Sequence, residues 1–296
     1  MLGLAATADL VGPQPRCAST TALLAGMREL GYVYGDHFVT EPRGAHAQPQ
    51  RFPDLVTELL RAQVDVIVAV GPALPMLKRA TTTVPVVMAA AVDPVAQGFA
   101  QSLGRPGGNF IGLSLQSLEI TGKRLELMKE LVPGAATLAV LWNRSSEPSW
   151  QAAQATLRQL RWNAFSLEIH NVDEIDSALR KAVAAKAGAL LVFAASALYP
   201  HAQRVTDQVA KHRLPAMYEL RSYVEAGGLV SYGADINDIW RRSAVFVDKI
   251  LKGARPADLP IEQPSEFELV INLKAARALG LTVPQAMLLR AEEVIQ

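Results

Sequence analysis

The stretch Asp65-Val-Ile-Val-Ala-Val70 decides the fold class, because it is an almost continuous apolar run that is rich in β-branched residues. Such a run is typical of a parallel strand that is buried on both faces of a sheet. Apolar residues at helical spacing precede it at residues 53–62, and a short helix at 72–80 and a strand at 84–90 are predicted to follow. Strands that alternate with helices in this way predict an α/β fold with a parallel sheet.

The same alternation starts again after Ser114. Strands are predicted at residues 137–142, 166–169 and 189–194, with helices at 149–160 and 175–185 between them. Two such series predict two Rossmann-like lobes, each with a parallel sheet covered by helices on both faces. We expect an N-terminal lobe of residues 1–113 and 236–258, and a C-terminal lobe of residues 114–235 and 259–296.

Composition narrows the classes of function. The chain has 296 residues, 29 basic and 28 acidic side chains, and a net charge of +1 with no basic run. This balance gives no indication of nucleic acid or an anionic membrane as a partner. Cys17 is the single cysteine, so an internal disulfide is excluded, and no Cys and His cluster has metal-ligand spacing.

The motifs that would indicate an enzyme are missing. The sequence contains no G-x-G-x-x-G after the first predicted strand, no P-loop, no G-x-S-x-G elbow and no H-E-x-x-H. Its five histidines do not pair with a cysteine or carboxylate in a recognisable triad. We therefore expect no catalytic residues, no cofactor and no metal site.

Candidate ligand-binding residues follow the predicted strands. Ligands of doubly wound sheets bind beyond the carboxyl ends of the strands, where helix N-termini favour a carboxylate and acidic side chains suit an amine. This placement favours a small carboxylate-bearing ligand. The candidates are Thr7, Gly71, Asp93, Ser114, Asn143, Glu147, Ser196, Tyr218, Glu219, Tyr232 and Asp235.

Each candidate also has a purely structural interpretation. Asp93 before Pro94 and Glu147 before Pro148 have the pattern of helix N-caps, and Asn143 is suited to capping the loop that follows it. Tyr218 and Tyr232 are equally typical of core aromatic residues with a hydrogen-bonded tip.

Several longer stretches resemble one family. They resemble the ABC transporter substrate-binding proteins related to the tryptophan-binding TrpX group, and the likeness extends over nearly the whole chain. The stretches are DPV at 93–95, SLGRPGGN at 102–109, GLS at 112–114, GKRLELMKELVP at 122–133, AGGLVSYG at 226–233, ILKG at 250–253, PADLP at 256–260, EQP at 262–264, FELVINL at 267–273 and ALGL at 278–281.

The resemblance implies a type I periplasmic-binding-protein fold, with a ligand closed between the lobes and three interlobe crossovers. We place these crossovers near residues 112–118, 233–238 and 257–264. It also implies a periplasmic monomer with an upstream export signal, whose partners are an ABC permease and its ATPase. An aromatic amino acid or a related compound is the ligand that the group suggests.

Two departures from the family pattern affect the ligand site. The loop after the first strand is longer and holds Pro13, Pro15 and Cys17, and Asn143-Arg144 stands where the family usually has Asn-Pro. The first affects the ligand contacts that this loop makes in the family, and the second favours a ligand that differs from the aromatic amino acids of the group. Two alternatives remain at this stage: the ligand-sensing core of a regulator, which would need a helix-turn-helix ahead of the first strand, and a doubly wound enzyme.

Overall fold

The computed structural model describes residues 1–6, 17–46, 48–194, 198 and 201–296. The chain divides into two compact units, which we call unit 1 (Met1–Gln116 and Ile236–Ser265) and unit 2 (Ser117–Asp235 and Glu266–Gln296). The chain therefore passes between the units at Gln116–Ser117, at Asp235–Ile236 and at Ser265–Glu266. We refer to these peptide bonds as the first, second and third crossings.

The third crossing lies later in the chain than the sequence pattern suggests. Residues 259–265 belong to unit 1 because they pair with it: the Ile261 N–H donates to the Leu103 carbonyl at 2.7 Å, and the Glu262 N–H donates to the Gly112 carbonyl at 3.0 Å. The first crossing follows Gln116, three residues after the expected boundary between Leu113 and Ser114.

The elements alternate along the chain. The first part contains β1 (Leu2–Ala6), α1 (Ala18–Glu29), β2 (Thr40–Gly44), α2 (Phe52–Arg61), β3 (Val66–Val70), α3 (Ala73–Ala80), β4 (Val86–Ala91) and β5 (Phe110–Ser114). The remainder contains α4 (Thr121–Leu131), β6 (Thr137–Trp142), α5 (Glu147–Gln159), β7 (Asn163–Glu168), α6 (Ile175–Ala184), β8 (Ala189–Val192), α7 (Ala202–Lys211), β9 (Ala216–Tyr218), α8 (Arg221–Glu225), β10 (Val230–Gly233), α9 (Ile236–Leu251), β11 (Glu268–Asn272), α10 (Leu273–Leu279), α11 (Gln285–Leu288) and β12 (Glu293–Ile295).

The sheet of unit 1 is parallel. Within the described residues its order is β2-β1-β3-β4-β5, and every neighbouring pair runs in the same direction. The strand β3 is central and almost entirely buried, as the run at residues 65–70 predicts. Helices α1 and α9 pack closely because Gly26 has no side chain: a Cβ there would lie 2.3 Å from the Arg241 carbonyl oxygen.

The sheet of unit 2 is mixed. Among the described strands its order is β12-β11-β10-β9-β8-β6-β7, and β11 runs antiparallel to β10, with β12 parallel to β11. The expectation of a wholly parallel sheet is therefore wrong at this edge. The register explains the reversal: Glu268, just after the third crossing, pairs with Gly233, just before the second, so β11 can only run back along β10.

Two other predicted elements differ from the structure. The sequence pattern predicts the second strand at residues 37–42, but this strand covers Thr40–Gly44. The expected helix after Asp93 is wrong, since residues 94–98 form turns that end at Gly98 with φ +69°. The chain folds back there through hydrogen bonds from the Phe99 and Ala100 N–H groups to the Pro94 carbonyl, which cannot coexist with a continuing helix.

The core of unit 2 is built from one face of its sheet and the helices that cover it. Leu138 and Val140 of β6, Leu191 of β8 and Met128 of α4 are among the completely buried members of this cluster. No helix of the described residues is long and apolar enough to cross a membrane.

Candidate functional site

The carboxyl ends of the parallel strands of unit 2 lie at one edge of the sheet, which we call the carboxyl edge. Asn143 directly follows β6, Ala194 lies shortly after β8, Glu219 directly follows β9, and Asp235 lies two residues beyond β10. The four strands are arranged in the sheet order β10-β9-β8-β6. The sequence-predicted positions on unit 2 that the structure describes thus share this edge of the sheet with Ala194.

Asn143 forms a local cap at the start of the β6–α5 connection. Its Oδ1 accepts hydrogen bonds from the N–H of Ser145 at 3.0 Å and from the hydroxyl of the same residue at 2.6 Å. Its own N–H donates to Ser146 Oγ at 3.2 Å, which completes a capping box. Glu147 is the first residue of α5 rather than its cap, and its carboxylate accepts a hydrogen bond from the Gln151 amide at 3.4 Å.

The two tyrosines differ strongly in exposure. Tyr218 is completely buried and its ring stacks on Tyr223, with centroids 5.0 Å apart and planes 10° from parallel. Burial raises the pKa of its phenol well above the ordinary range. Tyr232 is half-buried and lies beside Phe267 with a centroid distance of 6.1 Å, so its ring is the more accessible of the two.

Glu219 belongs to a buried charge cluster. Its side chain is 3% exposed and that of Arg124 is 2% exposed, and Arg124 Nη1 lies 2.5 Å from Glu219 Oε1 in an ion pair that is not an aligned hydrogen bond. The other carboxylate oxygen, Oε2, accepts the Ala194 N–H at 2.6 Å. Burial raises the pKa of the Glu219 carboxyl, and Arg124 with the Ala194 N–H opposes that rise. Arginine stays protonated in proteins, so the guanidinium supplies a fixed positive charge beneath the carboxyl edge.

Arg124 also belongs to this edge, but it lies on a helix and therefore could not be predicted from the positions of the strand ends. It lies on α4, and its Nε donates to the Tyr232 carbonyl at 2.7 Å while Nη1 donates to the Ser117 carbonyl at 3.1 Å. Its signal in the sequence is a charged residue within the apolar stripe of α4, between Thr121 and Met128, both buried. A lone charge on a buried helical face requires partners, because an unpaired buried ion is costly.

The carboxyl edge of unit 1 carries the other candidates. Gly71 follows β3 with φ +57° and is exposed. The Asp93 carboxylate accepts the N–H groups of Val95 at 3.1 Å and Ala96 at 2.9 Å, so it caps the turn after β4. Ser114, the buried last residue of β5, accepts the Gln116 N–H on Oγ at 3.2 Å.

Two of the predicted contacts, Thr7 and Ser196, lie outside the described residues. Asp235 is half-buried and lies directly before α9. Among the described residues, no three His, Cys, Asp or Glu side chains converge as a metal site.

Two α/β units with mostly parallel sheets and three crossings define the type I periplasmic-binding-protein class, so the expected fold class is confirmed. The sequence profile of the family described as ABC transporter substrate binding protein matches residues 8–295. The chain belongs to this family, and the resemblance found in the sequence is confirmed.

Individual relatives support the same assignment. The chain is similar to a tyrosine-binding protein of Clostridioides difficile (strain R20291), with 25% identity over 262 residues that cover 87% of this chain and 75% of the relative. It is similar to the solved structure of an ABC domain in complex with L-Trp from Streptococcus pneumoniae, with 25% identity, a TM-score of 0.90 and 99% of each chain covered. It is also similar to a conserved domain protein from Vibrio cholerae, with 25% identity, a TM-score of 0.91, and 99% of this chain and 98% of that chain covered.

Proposed function

We propose that this protein is the extracytoplasmic, periplasmic ligand receptor of an ABC importer, which delivers a small carboxylate-bearing molecule to a permease that is driven by its ATPase. The observation that carries the proposal is the match of the substrate-binding family to residues 8–295, which includes both units and all three crossings. The receptor binds its ligand without chemistry and acts as a monomer. Its net charge is +1 and it has no basic run, so we propose no nucleic acid as a partner.

The ligand class that we propose is the aromatic amino acids and their close relatives. One relative is named for tyrosine binding, and one similar structure was solved with L-Trp. The half-buried pair of Tyr232 and Phe267 supplies an aromatic surface near the end of β10. Acidic side chains such as Asp235 suit an ammonium group, and the N-terminus of α5 suits a carboxylate.

The two units are proposed to act as a clamp. A ligand that contacts the carboxyl edges of both units at once binds the closed conformation more tightly than the open one, and therefore shifts the population towards closure. The proposed direct contacts lie on both units and are Gly71, Asp93, Ser114, Asn143, Glu147, Tyr232 and Asp235, together with Thr7 and Ser196.

Tyr218 and Glu219 are proposed as supports rather than direct contacts. The Tyr218 ring is occupied by Tyr223, and the Glu219 carboxylate by Arg124 and Ala194. Their effect on the ligand would pass through the carboxyl edge that they hold in place.

Binding measurements test the ligand class directly. We expect L-tryptophan or L-tyrosine to raise the melting temperature and to bind in isothermal titration, with about 2.7 kcal/mol of added stability at 100 times the dissociation constant. Tryptamine, which lacks the carboxylate, is the matched control and should bind at least about tenfold more weakly. Tight binding only to neutral sugars or to metal ions would show that the proposed ligand class is wrong.

Alanine variants separate contacts from caps. Asn143→Ala and Asp93→Ala each remove a cap, which should cost about 0.5–2 kcal/mol of stability with or without ligand. A direct contact should instead lose affinity about tenfold or more while the empty protein keeps its stability. Asp235→Asn and Glu147→Gln test two carboxylates without changing their size. If all four variants keep full affinity, the ligand does not bind at these edges.

A further inference from the structure

The first crossing is anchored on its unit 2 side by an unusually well-bonded residue. Ser117 is the first residue of unit 2 and is 3% exposed. Its carbonyl accepts two hydrogen bonds, one from Thr121 Oγ1 at 2.6 Å and one from Arg124 Nη1 at 3.1 Å. The peptide that enters unit 2 is thus fixed to the first two turns of α4.

The Arg124 guanidinium joins this peptide to the carboxyl edge. Its Nε binds the Tyr232 carbonyl of β10, and its Nη1 contacts both the Ser117 carbonyl and the Glu219 carboxylate. Glu219 in turn holds the Ala194 N–H after β8. One planar cation therefore connects the first crossing to the ends of three neighbouring strands.

A lysine could not make this set of contacts. Three acceptors on three chain segments require donors in a rigid fork, which arginine has and lysine lacks. The backbone beside this guanidinium is also tightly packed. A Cβ on Gly233 would lie 1.9 Å from the Glu219 carbonyl oxygen and 3.6 Å from Arg124 Nη2.

The unit 1 side of the crossing is also fixed within its own unit. Gln116, the last residue before the crossing, has φ +49°, a left-handed conformation that is uncommon for a residue with a side chain. Its N–H donates to Ser114 Oγ at 3.2 Å, and the Ser114 N–H donates to the Glu262 carbonyl at 2.9 Å. Gln116 therefore lies between two segments that are each hydrogen-bonded within their own unit.

We propose that Arg124 is a positioning residue for ligand binding: it makes the first crossing and the carboxyl edge of unit 2 move as one rigid body, so that closure brings the edge to the ligand in a fixed orientation. This proposal rests on the proposed function for its ligand, but the rigid connection is a property of the empty protein. Loss of the Arg124 guanidinium should leave the strands of unit 2 folded. It should free the Ser117 peptide from the carboxyl edge.

The decisive variant is Arg124→Lys, which keeps the charge opposite Glu219 and removes the fork. Thr121→Val is a second, milder variant that removes only the hydroxyl bond to the Ser117 carbonyl and keeps the ion pair intact. Arg290→Lys is the matched control, since it makes the same chemical change at an arginine that contacts both Glu130 oxygens at the surface of unit 2. Leu179→Ala, at a completely buried position of α6, controls for general destabilisation.

Hydrogen exchange and ligand titration test the proposal. Hydrogen exchange of the ligand-free proteins, followed by mass spectrometry, should show exchange about tenfold faster at residues 115–121 in Arg124→Lys and a smaller increase in Thr121→Val. Both controls should leave this segment unchanged. Titration with L-tryptophan and L-tyrosine should show affinity reduced about tenfold or more in Arg124→Lys and unchanged in Arg290→Lys and Leu179→Ala.

Each outcome decides the proposal. Unchanged exchange at residues 115–121 in both Arg124→Lys and Thr121→Val would overturn it, as would an equal loss of affinity in Leu179→Ala. If Arg124→Lys does not fold, Thr121→Val decides by the same two readouts. If the unmodified protein binds neither amino acid, the proposed ligand class fails, and the exchange measurement alone decides the positioning role.

Discussion

Replacing Glu219 by glutamine tests the energetic role of the buried charge pair. The change keeps the size of the side chain and leaves an amide oxygen that can accept the Ala194 N–H, so the perturbation is the loss of one negative charge. Arg124 then remains as a buried cation whose side chain is 2% exposed. Removal of one partner of a buried pair is costly because the remaining charge is left uncompensated.

The expected loss follows from the contacts that remain. Two unit charges about 4 Å apart attract by about 4 kcal/mol at an effective dielectric constant near 20. Broken buried pairs cost about 3–5 kcal/mol. Arg124 keeps the carbonyl oxygens of Ser117 and Tyr232, so we expect about 3 kcal/mol, at the lower end of that range. Denaturant unfolding followed by tryptophan fluorescence measures the loss, since three of the four tryptophans, Trp142, Trp150 and Trp162, lie in unit 2.

The double variant Arg124→Met with Glu219→Gln provides the control. Without the cation no buried charge is left unpaired, so the double variant should be more stable than Glu219→Gln alone, and the two effects should not add. A loss below about 1 kcal/mol in Glu219→Gln, or strictly additive effects, would refute the assignment of a mutually dependent buried pair.

Three further changes test other parts of the structure. Gly233→Ala should lose about 1–3 kcal/mol of stability in urea unfolding because its Cβ would lie 1.9 Å from the Glu219 carbonyl oxygen, while Gly134→Ala, which meets nothing within 4 Å, should lose none of it. Asp248→Asn should lower the melting temperature at pH 7. Burial by itself would raise the pKa of the Asp248 carboxyl, but the hydrogen bonds from Lys252 and Tyr32 outweigh burial, so the pKa is lowered. A carboxyl whose pKa is lowered by folding stabilises the protein above its unfolded pKa, so the difference from the unmodified protein should narrow as the pH falls below about 4; a difference that grows there would contradict this sign. The Tyr32 hydroxyl lies 2.9 Å from the Asp248 carboxylate, and Tyr32→Phe should reduce the same pH dependence without removing it, as measured by thermal unfolding across the pH range.

The sequence predicts much of the fold because the strong signals are local. The apolar runs at residues 65–70 and 189–194 form β3 and β8, and the alternation of strands and helices predicts two units of the observed kind. The antiparallel strand β11 could not be predicted in this way. Its direction is set by where the chain re-enters unit 2, which is a tertiary property, and its apolar pattern is the same for either direction.

The candidate site is predictable only in part, for a related reason. Strand ends can be located from the pattern, and this places Asn143 and Glu219 at the carboxyl edge. Whether such a side chain faces a ligand or binds its own backbone depends on neighbours that are distant in sequence. Glu219 lies 95 residues from Arg124, its ion-pair partner, so the pair cannot be found from spacing.

In unit 2 the apolar core is separate from the carboxyl edge that carries several of the proposed contacts. The core of unit 2 is made of aliphatic and aromatic residues, and of the proposed contacts that the structure describes only Tyr232 packs against it. Apolar cores tolerate substitution when volume and pattern are kept, so a similar structure at 25% identity still reaches a TM-score of 0.90. Arg124 and Glu219 belong to neither group, because they are buried yet charged and they connect strand ends of unit 2. A change at one of the proposed contacts should therefore leave this core intact, whereas loss of one member of the pair leaves the other as an unpaired buried group.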